Sequence, residues 1–374
     1  MKKITGLLGM AATILCCNGC ISEEAGMYLL VGSYSSSAEN GIHVLSFDEE
    51  KGESHLVSGM NGIANPSFLV PAYNGKRIYS VSETDDETAS LFAYSFNSGN
   101  GSLQLINKQP TNGTAPCHVW VDSFDQLAIT ANYNGGSISI FPIDTDGSLQ
   151  EAIVEKYEGG NPDSERQSCP HLHYIYSSPS GEYVYANDLG TDRIYKYNVV
   201  TDNGKTHLEK GTPSYFQLPT GEGPRHTTFH PNGKYAYTIG ELSGNVTVFT
   251  LSPDGNLDPI QTIAADTLSA AGSADIHLSP NGKFLYASNR LKGDGIAIFS
   301  VNNKSGLLTK VGYQPTSIHP RNFAITPNGK YLLCACRDDN KIQIFRINAN
   351  NGLLHDTGKD IKIEQPVCLK FILK

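Results

Sequence analysis

His173 closes the segment Pro170-His171-Leu172-His173, Arg225 sits in Gly223-Pro224-Arg225-His226, and Glu241 follows sixteen residues after that arginine. These residue types can do complementary work. A neutral imidazole takes up a proton near neutral pH. A guanidinium offers a fixed fork of donors to a carbonyl or an acidic group. A carboxylate can orient either one. His118, His171, His226, Asp275, Arg290 and Arg321 stand in similar short polar segments at the ends of apolar runs. Blander readings stand beside these. Arg225 and Glu241 also read as a plain structural ion pair. His230 and His277 read as core histidines bonded to neighbouring strands. Asp188 and Asp192 can fix their loop through side-chain-to-backbone bonds. His173, beside His171 and behind the rigid Pro170, is read as functional.

The elements that must position these residues form a repeat. A turn of the type Pro-Asn-Gly-Lys, followed by an aromatic strand, recurs at Gly75, Gly181, Gly233, Gly282 and Gly329, with Asp125 in the same place in a degenerate copy. Successive intervals are 50, 56, 52, 49 and 47 residues. A second, Gly-x-Leu-like turn ends at Leu56, Leu103, Leu149, Leu208, Leu257, Leu307 and Leu353. A period near 50 with Gly-centred hairpins predicts an all-β, seven-bladed β-propeller with four antiparallel strands per blade. The Asn-Gly pairs are expected to supply the positive φ angles of a tight hairpin. In one full copy, Thr227–His230 reads as strand A, Tyr235–Ile239 as B, Asn245–Phe249 as C and residues near Ile260–Ala264 as D. Residues 26–374 then make one domain, because a lone blade cannot bury its two apolar faces. Met27–Ser33 has B character without a local A strand, and Val367–Ile372 has A character without a following B. The two are expected to share the closing blade and remove the open edge.

The repeat phase also gathers the polar residues. Eight positions before each turn come Ser67, Cys117, His173, Arg225, Ala274 and Arg321, and next to them Phe68, His118, Tyr174, His226, Asp275 and Asn322. Eight positions after come Glu83, Tyr133, Leu189, Glu241, Arg290 and Arg337. In a regular hairpin these flanking positions lie opposite each other, so a ring of His, Arg, Asp and Glu is expected at one mouth of the channel.

The chain has 28 Lys+Arg against 37 Asp+Glu among 374 residues. That balance argues against a general nucleic-acid binder, which needs a basic field to meet phosphates. Residues 1–20 read as an export signal: Lys2 and Lys3, an apolar stretch from Ile4 to Leu15, then Gly19-Cys20. The order resembles a bacterial lipoprotein signal, with Cys20 as the lipidated new N-terminus, although Cys17 replaces the usual upstream Leu. A plain secretory peptide cut nearby is the other reading. Ile21 in place of Asp favours the outer membrane. Loss of the two signal lysines leaves 26 basic and 37 acidic residues, a charge of -11. The remaining Cys117, Cys169, Cys334, Cys336 and Cys368 include no CxxC pair, so neither a metal nor a redox site is expected.

Several segments carry a family resemblance: Ala131-Asn132-Tyr133-Asn134-Gly135-Gly136-Ser137, Pro170-His171-Leu172-His173, Asp188-Leu189-Gly190-Thr191-Asp192, Gly223-Pro224-Arg225-His226, Ala274-Asp275-Ile276-His277 with Ser279-Pro280, and Ser288-Asn289-Arg290. The chain resembles the seven-bladed lactonases whose best-known member is a bacterial 6-phosphogluconolactonase. It also resembles their fungal relative, the 3-carboxy-cis,cis-muconate lactonizing enzyme. The likeness covers nearly the whole domain. It implies catalytic roles for His173, Arg225 and Glu241.

Under that resemblance the expected activity is hydrolysis of a sugar or sugar-acid lactone. His173 would be the base, and Arg225 would bind the lactone carbonyl or an acidic substituent. Glu241 would orient them or exchange a proton with the leaving alkoxide. His118, His171, His226, Asp275, Arg290 and Arg321 would bind an anionic lactone substrate. No cofactor and no nucleic acid are expected, and membrane contact only through the lipid anchor. Glucose 6-phosphate is oxidised in the cytoplasm, which conflicts with an exported chain. A lactonizing cycloisomerase and a non-catalytic propeller binding carbohydrate or protein remain as alternatives.

Overall fold

The computed structural model describes residues 26–374. The signal segment and Cys20 lie outside the described residues. Seven antiparallel sheets follow one another around a central channel. Blade 1 is Pro366–Leu373, Met27–Ser33, Ile42–Asp48 and Glu53–Met60, in the order A, B, C, D. Blades 2 to 7 then run in sequence, their A strands being Leu69–Pro71, Pro116–Val121, Leu172–Ser177, Pro224–Phe229, Ser273–Leu278 and Pro320–Ile325. The expected closure is present. Leu30 pairs with Lys370 and Val44, so the last strand of the chain completes the blade begun by the first. In blade 5 strand A starts at Pro224 and D at Leu257, each three residues earlier than expected. Blade 7 splits its D strand into Leu354–Asp356 and Ile361–Lys362.

Burial follows strand position. The B strands Leu127–Asn132, Tyr235–Gly240, Phe284–Asn289 and Tyr331–Cys336 are buried along their whole length, as strands packed on both faces must be. The D strands face outward and alternate exposed with covered residues. The core is a ring of clusters between adjacent blades. One joins Tyr237, Ile239 and Val248 of blade 5 to Leu285, Ala287 and Phe299 of blade 6.

The abundant tyrosines tie each blade to the next. Tyr28, Tyr79, Tyr185, Tyr237, Tyr286 and Tyr331 each donate their hydroxyl to a carbonyl in the C–D turn of the following blade, at 2.8 to 3.4 Å. The Tyr331 bond, to Glu50, crosses the closure. Between blades 3 and 4 the side-chain oxygen of Gln126 accepts from Thr206 instead, at 2.7 Å. The turn glycine is required here. Gly306 has φ +72°, and a β-carbon on it would lie 2.4 Å from the Tyr235 ring.

The A–B turns correct one expectation. In Pro231–Lys234 only Gly233 has a positive φ, and the Asn232 Oδ1 accepts from the Lys234 N–H at 2.9 Å. The connection is four residues long and needs a single left-handed position, as loops of this length built on a type I turn do. Asp125 fills that position in blade 3 with φ +61°. These turns define the lower face of the propeller, and the starts of the A strands the upper one.

Closure yields the first test. A chain ending at Gln365 loses the A strand of blade 1 and bares Met27–Ser33 as an apolar edge. We expect it to aggregate or to lose its cooperative melt, measured by size-exclusion chromatography and thermal unfolding. A soluble, monomeric truncation with the parental melting temperature would contradict this account.

Candidate active site

The upper end of every A strand carries one residue more than its partner. In blade 5 Pro224 pairs with Gly240 and His226 with Ile239, which leaves Arg225 as a β-bulge. The same shift isolates Cys117, His173, Arg321 and Val367. In blade 6 it spans Ala274 and Asp275. In blade 2, Glu83 bonds to Asn65 and Val81 to Phe68, which displaces Ser67 likewise. Hairpin counting therefore needs a correction. Glu241 lies opposite Gly223, to whose carbonyl its N–H donates at 2.8 Å, not opposite Arg225. The extra residue swings the Arg225 side chain into the channel, and the two side chains still meet.

Six of the bulged residues, Ser67, Cys117, His173, Arg225, Arg321 and Val367, line one gap with Phe68, His226 and Asn322. The gap is about 10 Å³, room for one water molecule. His173 is 4% exposed and Arg225 2%. The expected ring at an open mouth is thus a buried throat just inside it.

His173, Arg225 and Glu241 do come together there. The Glu241 carboxylate accepts from Arg225 Nε at 2.7 Å and Arg166 Nη2 at 2.6 Å, and lies 3.3 Å from Arg290 Nη2. Burial alone would raise this carboxyl, but Arg290, Arg225 and Arg166 outweigh it and hold the group at about 2. A carboxylate so saturated is a poor proton carrier, so the geometry favours the orienting role over proton exchange. Arg225 Nη1 donates to the Ala274 carbonyl at 2.9 Å and to His226 Nε2 at 3.1 Å. Among the described residues its Nη2 has no partner. His173 packs edge-on to Tyr133 and His226, and its buried Nδ1 has no hydrogen-bond partner among the described residues. Burial first, then Arg225, His226 and Arg321, push its pKa well below the usual imidazole value, so the ring is neutral.

The other expected binding residues divide by depth. Arg321 lines the throat, its guanidinium 5.5 Å from the Tyr34 ring and without a hydrogen bond among the described residues. Arg290 donates to the Gly272 carbonyl at 2.8 Å, and burial lowers its pKa to about 9. His171 stacks on Tyr133 above the throat and bonds the Tyr133 carbonyl at 3.0 Å. Of the remaining three, His226 forms part of the throat lining, and His118 and Asp275 lie lower. His118 is held between Phe68 and Tyr174 and accepts from the Ile175 N–H at 3.2 Å. Asp275 accepts from His226 Nδ1 at 2.8 Å, His277 Nε2 at 3.0 Å and the Phe323 N–H at 3.1 Å. Because Arg225 donates to its Nε2, His226 must carry its proton on Nδ1. His230 bonds Gly282 and Asn303 near the lower turns, as a core histidine. Asp188 and Asp192 accept backbone N–H groups of His171, Gly190, Gly221 and Gly223, the loop-fixing reading.

Arg166 and Tyr34 were missed. Arg166 sits on the long connection between blades 3 and 4, which has no counterpart in the repeat. Tyr34 directly follows strand B of blade 1 and donates to Glu83 at 3.2 Å. Its blade is split between the termini, so there was no turn to count from. Among the described residues no group of three His, Cys, Asp or Glu is placed to hold a metal ion.

The chain matches the family described as "Lactonase, 7-bladed beta-propeller" over residues 28–371. It belongs to that family. A 6-phosphogluconolactonase of Formosa agariphila is 38% identical over 344 residues, 90% of this chain and 96% of that one. A 6-phosphogluconolactonase of Bacillus subtilis is 34% identical over 348 residues, covering 91% and 97%. Among solved structures, a candidate 6-phosphogluconolactonase from Bacteroides fragilis superposes with a TM-score of 0.90 at 51% identity, over 94% of this chain and 99% of that one. The periplasmic gluconolactonase of Pseudomonas aeruginosa gives 0.86 at 29% identity, over 93% and 99%. For this lactonase-family chain, a positive throat within an acidic protein is the main electrostatic feature.

The Glu241 cluster is testable by itself. Glu241→Gln keeps the shape but leaves the buried guanidiniums of Arg225 and Arg290, and the exposed one of Arg166, short of a counter-charge. Removing one member of a buried pair costs about 3–5 kcal/mol. We expect a loss of about 3 kcal/mol in urea unfolding, and a variant as stable as the parent would show that the cluster is not a structural keystone.

Proposed function

We propose that this chain hydrolyses the lactone of a sugar acid at the upper channel mouth, with 6-phosphogluconolactone as the leading substrate. One observation carries the reading: a neutral imidazole shares the throat with two guanidinium edges, on Arg225 and Arg321, and among the described residues the His173 Nδ1 has no partner and those edges meet no acceptor. The names of the relatives support the substrate. An anionic substituent would neutralise Arg321, and the lactone carbonyl would meet Arg225 Nη2.

The chemistry then balances in two steps. Water gives a proton to His173 while its oxygen bonds to the carbonyl carbon, and the developing oxyanion is held by Arg225. Collapse breaks the ring C–O bond, and the leaving alkoxide takes the proton back from His173. Glu241 keeps Arg225 in place throughout. The depressed basicity of His173 has a remedy in the substrate itself. A bound anion offsets the Arg225 and Arg321 charges that oppose its protonation.

A second reading has its own support. The lipoprotein-like signal and the 29% identical periplasmic gluconolactonase favour an unphosphorylated lactone outside the cytoplasm. We propose that the mature chain is exported and lipid-anchored at Cys20. Assays of both lactones on the purified domain decide between the substrates. Incorporation of solvent oxygen separates hydrolysis from cycloisomerisation.

Three outcomes are expected. His173→Asn should lower hydrolysis on the order of 100-fold or more, and Arg225→Lys should also be damaging, because a point charge cannot replace the planar fork. Full activity in both would place the chemistry elsewhere. His173 must be neutral to act, and its pKa in the free protein lies well below 6.5. The kcat/KM profile should therefore stay flat as pH falls through 6, while kcat declines at higher pH, since bound anion raises the same pKa. An acid limb of kcat/KM at 6.5 or above would refute this assignment. Cys20→Ser should move the protein from the membrane to the soluble fraction, and unchanged fractionation with unchanged lipid labelling would sink the anchor.

A further inference from the structure

The three most exposed large apolar side chains of the described chain are Tyr73 at 86%, Phe124 at 75% and Leu373 at 70%. They stand together on the lower face. Tyr73 and Phe124 lie on the A–B turns of the neighbouring blades 2 and 3, tied by the bond from Asn74 Nδ2 to Asp125 Oδ2 at 3.2 Å. Leu373 ends strand A of blade 1, where a β-carbon on Gly75 would lie 3.6 Å from Ile372. Exposed lysines, Lys76 and Lys374, flank the three. Asp125, beside Tyr73 and Phe124, is paired with Arg77 at 2.9 Å, and of the acids that share a cavity with Gly26 and Lys374, Asp48, Glu50 and Glu53 are paired with Lys51, Lys330 and Lys359.

The chain enters the fold at the same place. The Lys374 N–H donates to the Gly26 carbonyl at 3.1 Å, and Met27 pairs with Leu373. From Cys20 to Gly26 is six residues, which span at most about 20 Å when fully extended. A blade is itself roughly 20 Å tall, at about 3.3 Å per residue. A lipid on Cys20 would thus hold the lower face against the bilayer, and the throat, at the opposite end, could not turn toward it.

We infer that the lower face is a phospholipid-binding surface, with Leu373, Tyr73 and Phe124 seated in the interfacial region and the throat opening away from the membrane. Aromatic residues flanked by lysines suit that region, where rings meet the headgroups and ammonium groups reach water or lipid phosphate. The inference rests on the proposed anchor at Cys20, so its test must work without natural lipidation.

The chain supplies a reporter. Trp120 is the one tryptophan in the sequence, and it lines a cavity of about 280 Å³ in the lower half of the channel with Phe68, Tyr174, Tyr176 and Lys370. The chain from residue 20 onward, carrying a histidine tag at that position, is bound to phosphatidylethanolamine–phosphatidylglycerol vesicles containing nickel-chelating lipid and dansyl-labelled headgroups. Energy transfer from Trp120 to dansyl is expected. It should fall at least twofold in the Tyr73→Ser, Phe124→Ser, Leu373→Ser triple variant, with vesicle binding, melting temperature and lactone hydrolysis unchanged. Equal transfer in parent and variant would overturn the inference. So would a dimer in solution that the triple variant converts to monomer, since the patch would then serve a second copy of the chain. Parallel analysis of natural Cys20 for attached lipid judges the anchor independently: unmodified Cys20 sinks the anchor alone, and the tag-tethered result still decides the surface.

Discussion

One surplus residue at the head of each inner strand governs this molecule. A regular antiparallel pair would send alternate side chains into the channel and hide the rest between blades. The bulge re-aims one additional side chain per blade, so that neighbouring residues such as Arg225 and His226 both serve the channel. Five of the seven bulges follow a left-handed residue and a proline: Asn65-Pro66, Ala115-Pro116, Gly223-Pro224, His319-Pro320 and Gln365-Pro366. Four of those left-handed residues are not glycine, and such positions persist only where their surroundings fix them. Here the carbonyl of each accepts the N–H of the residue that follows strand B, as Gly223 does for Glu241 and Gln365 for Tyr34.

The strand ends in turn set the electrostatics. Four guanidiniums, on Arg166, Arg225, Arg290 and Arg321, meet three carboxylates, on Glu83, Glu241 and Asp275, in and around a space that admits one water. Water screens charges poorly inside that space, so the buried Arg225 and Arg321 act on His173, and Arg225 and Arg290 on Glu241, more strongly than they would at a surface, where the exposed Arg166 stands. Glu241 is the hub because it alone touches three of the four. In the lower layer Asp275 accepts from His226 and His277, so its buried carboxylate is satisfied by protein donors.

Repeat phase made the architecture legible, because the turn glycines and the Gly-x-Leu leucines recur at a nearly constant interval and the unmatched strands at the two ends complement each other. The throat residues His173, Arg225 and Arg321 were found by the same counting, despite its assumption of a regular hairpin. The count worked since every blade carries the same bulge at the same place. It misjudged depth: His118 and Asp275 lie below the throat that His226 helps to line, and nothing in their spacing separates the two levels. The Pro preceding most bulges was the available signal. Arg166 was invisible because it lies in a connection of irregular length, where position in the repeat carries no information. Tyr34 and Val367 were hidden by the split of blade 1 between the two ends of the chain.

The tyrosine bonds between blades all run in one direction, from a blade to its successor, at six of the seven junctions. In the language of assemblies this is a heterologous, head-to-tail interface repeated by rotation, and it ends only because the rotation closes. Seven steps require about 51° each. A side-chain change at one latch that altered its angle would not stay local, since the error must be absorbed by the other six or open the ring. Variation in such a chain is therefore cheapest where it leaves that angle alone, in connections over the upper mouth like the one bearing Arg166. The same geometry that locks the scaffold leaves the loops above the throat free to change what the throat is offered.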